Sequence, residues 1–122
     1  MQTPPAWCGR WRIVETELWD ADFLDMDGPA HVGFEAEAIG WLQFGMVKGD
    51  LDCRFSTRDG RPLVEFTWEG ADEGEHVCGR GWALLSHDDK LHGRIFMHCG
   101  DDSSFTASRE APPAQPRRRA KR

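Results

Sequence analysis

Clusters of glycine and acidic residues interrupt this chain about every 8–15 positions, with short apolar-aromatic segments between them. Such segments are too short for ordinary helices, and in several the apolar residues alternate. Val64, Phe66 and Trp68 fall on one face of a segment, and Glu65, Thr67 and Glu69 on the other. Leu42, Phe44 and Met46 alternate with Trp41, Gln43 and Gly45 in the same way. Ile95 and Met97 alternate with Arg94, Phe96 and His98. A period of two belongs to strands with one buried face. Only residues 17–27, through Leu18, Trp19, Phe23 and Leu24, have spacing that suits a short helical turn.

The pattern predicts eight strands, over 9–15, 30–36, 40–47, 50–56, 62–69, 79–86, 91–98 and 103–109. Arg58-Asp59-Gly60-Arg61-Pro62 is the strongest hairpin signal, because Asp-Gly readily takes positive φ. His87-Asp88-Asp89-Lys90 is a second. Sequential antiparallel strands with short links favour an up-and-down barrel, since closure removes the sheet edges. A two-sheet sandwich is the alternative. The expected fold is therefore all-β, an eight-stranded antiparallel barrel over residues 1–110. Residues 111–122, with three prolines, no large apolar group and a basic run, predict a disordered tail.

A chain of 122 residues supports one core. No apolar run approaches the length of a membrane-spanning helix. Met1-Gln2-Thr3-Pro4-Pro5 has neither a basic start nor an apolar stretch, so no secretory signal is expected. Cys8, Cys53, Cys78 and Cys99 form no C-x-x-C pair. Reduced thiols in a cytoplasmic protein are the expectation, mainly as small buried hydrophobes.

Charge is unevenly spread. Residues 1–109 carry 10 basic against 20 acidic residues, a net of −10. Residues 110–122 carry 5 against 1, or +4, giving −6 for the chain. The acidic body argues against a nucleic-acid-binding face; only the basic tail suits weak contact of that kind. In an up-and-down barrel, links 16–29, 48–49, 70–78 and 99–102 share one end. That end then gathers Asp20, Asp22, Asp25, Asp27, Asp72, Glu73, Glu75, Asp101 and Asp102, with Asp50 and Glu69 beside them. Lys48 and Arg80 are the nearby cations. Such a rim suits a small ligand, a cation or a basic protein, or it is simply a solvated set of turns.

Several runs in this rim carry residue types that serve defined chemistry. Asp20-x-Asp22-x-x-Asp25-x-Asp27-Gly28 misses the EF-hand spacing, with Leu24 where a ligand belongs. His76-x-Cys78 and His98-Cys99 supply zinc-type ligands in no recognised pattern. His98, Asp101, Asp102, Ser103 and Ser104 lack a nucleophile elbow. Glu69 or Glu73 with Asp101 would make an acid/base pair. No glycine-rich segment opens a helix, so phosphate-binding fingerprints are absent. No cofactor and no metal site follow from these motifs.

Gly9-Arg10-Trp11 resembles the Gly-x-Trp that opens lipocalins and avidin-like barrels, the calycin group. That resemblance implies Trp11 closing one barrel end under an arginine of the last strand, here Arg109. A second resemblance rests on three runs: Trp68-Glu69-Gly70-x-Asp72-Glu73, then Gly79-Arg80-Gly81-Trp82-Ala83, then Gly93-Arg94-Ile95-Phe96-x-His98-x-Gly100-Asp101-Asp102-Ser103-x-Phe105-x-Ala107. They are similar to a family of small bacterial proteins without an assigned activity, and they imply no catalytic residues. The expected interior is filled by side chains rather than hollow. Trp11, Phe34, Phe44, Phe55, Phe66, Trp68, Trp82 and Phe105 point inward in this reading, with Leu84 among the aliphatics that join them.

Together these features predict a non-enzymatic binding module using the acidic rim. Its binding residues are Glu69, Asp72, Glu73, Arg80, His98, Asp101, Asp102 and Ser103, with Arg80 paired to one of the acids. The alternative is a small metal-assisted or acid/base enzyme at the same rim.

Overall fold

A computed structural model describes residues 1–110; the expected disordered tail, 111–122, lies outside the described residues. Eight strands follow in order: β1 (Gly9–Thr16), β2 (His31–Glu35), β3 (Ile39–Phe44), β4 (Val47–Arg58), β5 (Arg61–Asp72), β6 (Glu75–Leu85), β7 (Lys90–Met97) and β8 (Asp102–Arg109). Each pairs antiparallel with the next, and β1 pairs with β8 to close the barrel. Among the described residues the one α-helix, α1 (Ala21–Leu24), lies in the β1–β2 link, where a helical turn is expected. Among the described residues, no helix is long and apolar enough to cross a membrane.

The Asp59-Gly60 turn forms as expected, with φ of 52° and 78°. Two other turns sit elsewhere than the sequence suggests. β3 and β4 join at Gly45-Met46, so positions 48–49 lie inside β4. β5 and β6 join at Glu73-Gly74, so most of 70–78 is strand. The cause is the same in both. Lys48 and His76 resemble turn residues but occupy the solvent side of regular strands. Val47, Gly49 and Leu51 alternate with them on the inner side.

The interior is filled. Trp7, Trp11, Phe34, Phe44, Phe66, Trp68 and Phe105 are each at most 4% exposed. Trp82 and Leu84 are a correction: both point outward. Gly79, Gly81 and Ala83 take the inner positions of β6, because Phe66 and Trp68 on β5 already occupy that space. A Cβ on Gly81 would lie 2.5 Å from the Phe66 ring. The smallest residues of β6 therefore face in, and its large ones face out.

Both mouths are covered. At the end holding the chain start, Trp7 packs edge-on against Phe34, with centroids 5.5 Å apart, and its carbonyl accepts from Trp11 Nε1 at 3.0 Å. Thr3 Oγ1 donates to the Glu35 carbonyl and accepts from Ala38 N. At the far end Trp19 stacks on Phe44 at 4.9 Å and on Phe23 at 5.8 Å, and Leu24 is buried beneath α1.

Candidate functional site

Four of the expected rim acids are held in internal contacts instead of gathering at one site. Asp20 caps α1 by accepting from Phe23 N. Asp25 accepts from Arg12 at 2.8 Å and from Ala30 N at 2.9 Å. Asp27 pairs with Lys48 at 2.8 Å. Asp102 pairs with Arg94 at 2.7 Å, and Arg94 reaches Glu17 at 2.6 Å. The bond to Asp102 and then that to Glu17 raise the Arg94 pKa above its ordinary value. Arg12 and Arg94 are thus counter-ions that the sequence reading missed.

Other expected site residues scatter as well. Ser103 is fully buried, where its hydroxyl accepts from Leu18 N and donates to the Ser104 carbonyl, so it is structural. Asp72 pairs across the ladder with Glu75 beside the turn that holds Glu73, at the tip of the β5–β6 hairpin. That hairpin projects past β7, whose end lies beside Cys78 through a His98 N to Cys78 carbonyl bond of 2.8 Å. Asp101 is exposed in the β7–β8 link. Arg80 is a correction to the expected ion pair. Its guanidinium lies over Phe96, 4.9 Å from the ring centroid, and it joins none of the ion pairs among the described residues.

Glu69, Arg80 and His98 do come together, on the barrel wall rather than its rim. Three adjoining depressions of about 450, 410 and 530 Å³ run over the outside of β4–β7. Thr67 lines all three, and Asp52, Cys78, Gly79, Arg80 and Phe96 each line two, so they form one trough. Register explains the hollow. Thr67 stands opposite Arg80, and Cys78 opposite Glu69, so short side chains lie between long ones.

One end of the trough is aromatic and cationic. Trp82 and Phe96 are half-buried there, Arg58 lies 5.2 Å from the Trp82 centroid, and Arg54 is paired to Asp52 at 2.9 Å. The other end is acidic. Asp50 stands beside Glu69, whose carboxylate meets His76 Nε2 at 3.3 Å. His98 Nε2 lies 3.5 Å from Cys99 Sγ at the trough margin. Among the described residues, no group of three or more His, Cys, Asp or Glu is arranged to hold a metal.

Trp82, Phe96, Arg54, Arg58 and Asp52 are the site residues that sequence reasoning missed. One signal was available: glycine and alanine at 79, 81 and 83 mark the crowded face, which puts Arg80 and Trp82 on the open one.

No protein-family model, curated protein or solved structure matches the chain. The fold and the trough are therefore the ground for a functional reading.

Proposed function

We propose that this chain is a non-enzymatic binding module that works from the outside of its barrel. The observation that carries the reading is the contrast between a filled, doubly covered interior and a continuous outer trough ending in exposed acids. Asp50 and Glu69, with Glu73 in the hairpin turn beyond them, form the seat for a cationic group of a small ligand or a basic protein. The acidic rim expected from sequence thereby becomes an acidic wall and hairpin. The clasp of Arg109 on Trp11 supports a calycin-like barrel, with binding outside it rather than in a central pocket. The four unpaired thiols support a cytoplasmic setting.

Titration of the ¹⁵N-labelled protein with a hexalysine peptide tests the reading. Amide shifts should concentrate at 50, 69, 73 and 76, shrink in Asp50→Asn/Glu69→Gln, and weaken at high salt. Unchanged spectra, or shifts confined to other surfaces, would remove the acidic seat.

A further inference from the structure

The plug that covers the mouth at the chain start leaves a vestibule beside it. Residues 1–8 cross that mouth from β4, where Phe55 N donates to Met1 Sδ at 3.3 Å, to the start of β1. The β4–β5 hairpin projects beyond both neighbours, because β3 pairs no further along β4 than Asp52, and β6 reaches β5 only from Leu63 onward. Phe55, Thr57 and Pro62 fall on the inner row of this hairpin, in phase with Cys53 and Val64, and Thr57 stands opposite Pro62. They face Pro4, Ala6 and Trp7 of the plug across a depression of about 460 Å³. It shares no lining residue with the outer trough.

The chain itself leads to this vestibule. Glu110 N donates to the Arg10 carbonyl at 2.9 Å, so at Glu110 the chain still runs antiparallel to β1 and heads back along Cys8, Trp7 and Ala6. Arg109 already follows that line, donating to the carbonyls of Cys8 and Ala6. Ala6 in turn lines the vestibule, so one wall of it touches the residue before Glu110. Strand spacing and tilt make an eight-stranded barrel about 16 Å across. Six residues in a polyproline helix span about 19 Å, enough to cross it.

The chemistry matches as well. The six residues that follow Glu110 are Ala111-Pro112-Pro113-Ala114-Gln115-Pro116. Three of them have no N–H, so the segment can lie on an apolar wall with few donors left unpaired. Pyrrolidine rings pack well on aromatic and proline surfaces such as Phe55, Pro4 and Pro62, and proline has little conformational freedom to lose. A segment tethered at the edge of the vestibule has an effective concentration on the order of millimolar, an advantage over any free peptide.

We infer that residues 111–116 of this chain occupy the vestibule, running antiparallel to the plug from the β1–β8 seam to the β4–β5 hairpin. The sequence reading takes 111–122 as one disordered tail; the docked segment divides it at Arg117. The basic run then leaves the molecule beside the β4–β5 turn.

Amide order parameters from ¹⁵N relaxation of the full chain test it. Ala111, Ala114 and Gln115 should lie above about 0.6, toward the value of about 0.85 for rigid backbone. Pro112→Gly/Pro113→Gly/Pro116→Gly, which alters nothing in residues 1–110, should drop all three below about 0.6. It should also shift the amides of Ala6, Trp7, Phe55 and Thr57. Both effects should be the same in dilute and concentrated samples and at low and high salt, as an apolar contact within one chain requires. Parent values in the flexible range, or a variant that leaves those four amides in place, would overturn the inference. Shifts that vanish on dilution would put another copy's segment in the vestibule. Shifts at Asp50 and Glu69 that vanish in salt would put the tail on the acidic seat. Either result overturns it too.

Discussion

The Arg109 guanidinium lies across the Trp11 indole, 4.1 Å from the ring centroid, where the last strand meets the first. Trp11 is fully buried beneath it. The same guanidinium donates to the carbonyls of Ala6 at 2.5 Å and Cys8 at 3.2 Å, and to Asp89 at 2.7 Å. One side chain thus fastens the closing seam, the plug before β1 and the β7 entry turn.

Removing that side chain should loosen all of them together. Arg109→Ala should destabilise the domain by about 2–3 kcal/mol, from the stacked cation and charge-assisted bonds less solvent screening. Arg109→Lys should fall between, since a point charge reaches fewer acceptors. Urea denaturation followed by tryptophan fluorescence measures both. A midpoint unchanged in Arg109→Ala would contradict the clasp.

Gly81 supports a test of why β6 faces the way it does. Gly81→Ala should cost about 1–3 kcal/mol by overpacking Phe66. Phe66→Leu in the same chain should recover part of that loss, giving a coupling that a double-mutant cycle detects. Additive effects would mean that Phe66 does not set the phase of β6.

His31 should leave a signature in pH. It is 7% exposed, and burial is the largest cause lowering its pKa from 6.5, outweighing the bond between Nδ1 and the Pro29 carbonyl. The unfolded chain therefore binds a proton that the folded state resists. Stability from this group is complete above about pH 6.5 and is lost as pH falls below that value toward the folded pKa. His31→Gln should show a smaller fall in melting temperature than the parent between about pH 7.5 and pH 5. An equal fall in both would rule out His31 as a source of acid sensitivity.

The thiols should separate by exposure. Burial, then the neighbouring Asp52 charge, pushes Cys53 up to about 12. Cys8 and Cys99 are exposed and Cys78 is intermediate. A thiol-reactive chromophore should label Cys8 and Cys99 first, Cys78 more slowly, and Cys53 only on unfolding. Early labelling of Cys53, read by peptide mass spectrometry, would contradict its burial.

The barrel was legible because Val64-Glu65-Phe66-Thr67-Trp68 and Asp59-Gly60 each specify local structure without help from distant residues. Trp11 and Arg109 were legible through strand connectivity alone. Strand ends were less so. Lys48 and His76 carry the same residue types as a turn, and only register shows that they line a free face. The inward direction of Trp82 was misread because hydrophobicity suggests burial, whereas the volume already filled by Phe66 excludes it. Arg80 was expected to find a carboxylate; in the fold, Phe96 stands directly opposite it on β7. The trough is a property of side-chain heights on four adjacent strands, which no single segment encodes.

Every seam of the barrel but one joins strands consecutive in the chain, and the exception is β1 with β8. Arg109 reaches Cys8 across 101 residues of sequence. Bringing such distant ends together costs about 4 kcal/mol of loop-closure entropy beyond a constant, before any contact there repays it. Hairpins from β1 to β8 can form in microseconds, so that seam is expected to set the folding rate. Until it closes, β1 and β8 are bare edges, and in a concentrated refolding solution each will find the complementary edge of another chain as readily as its own.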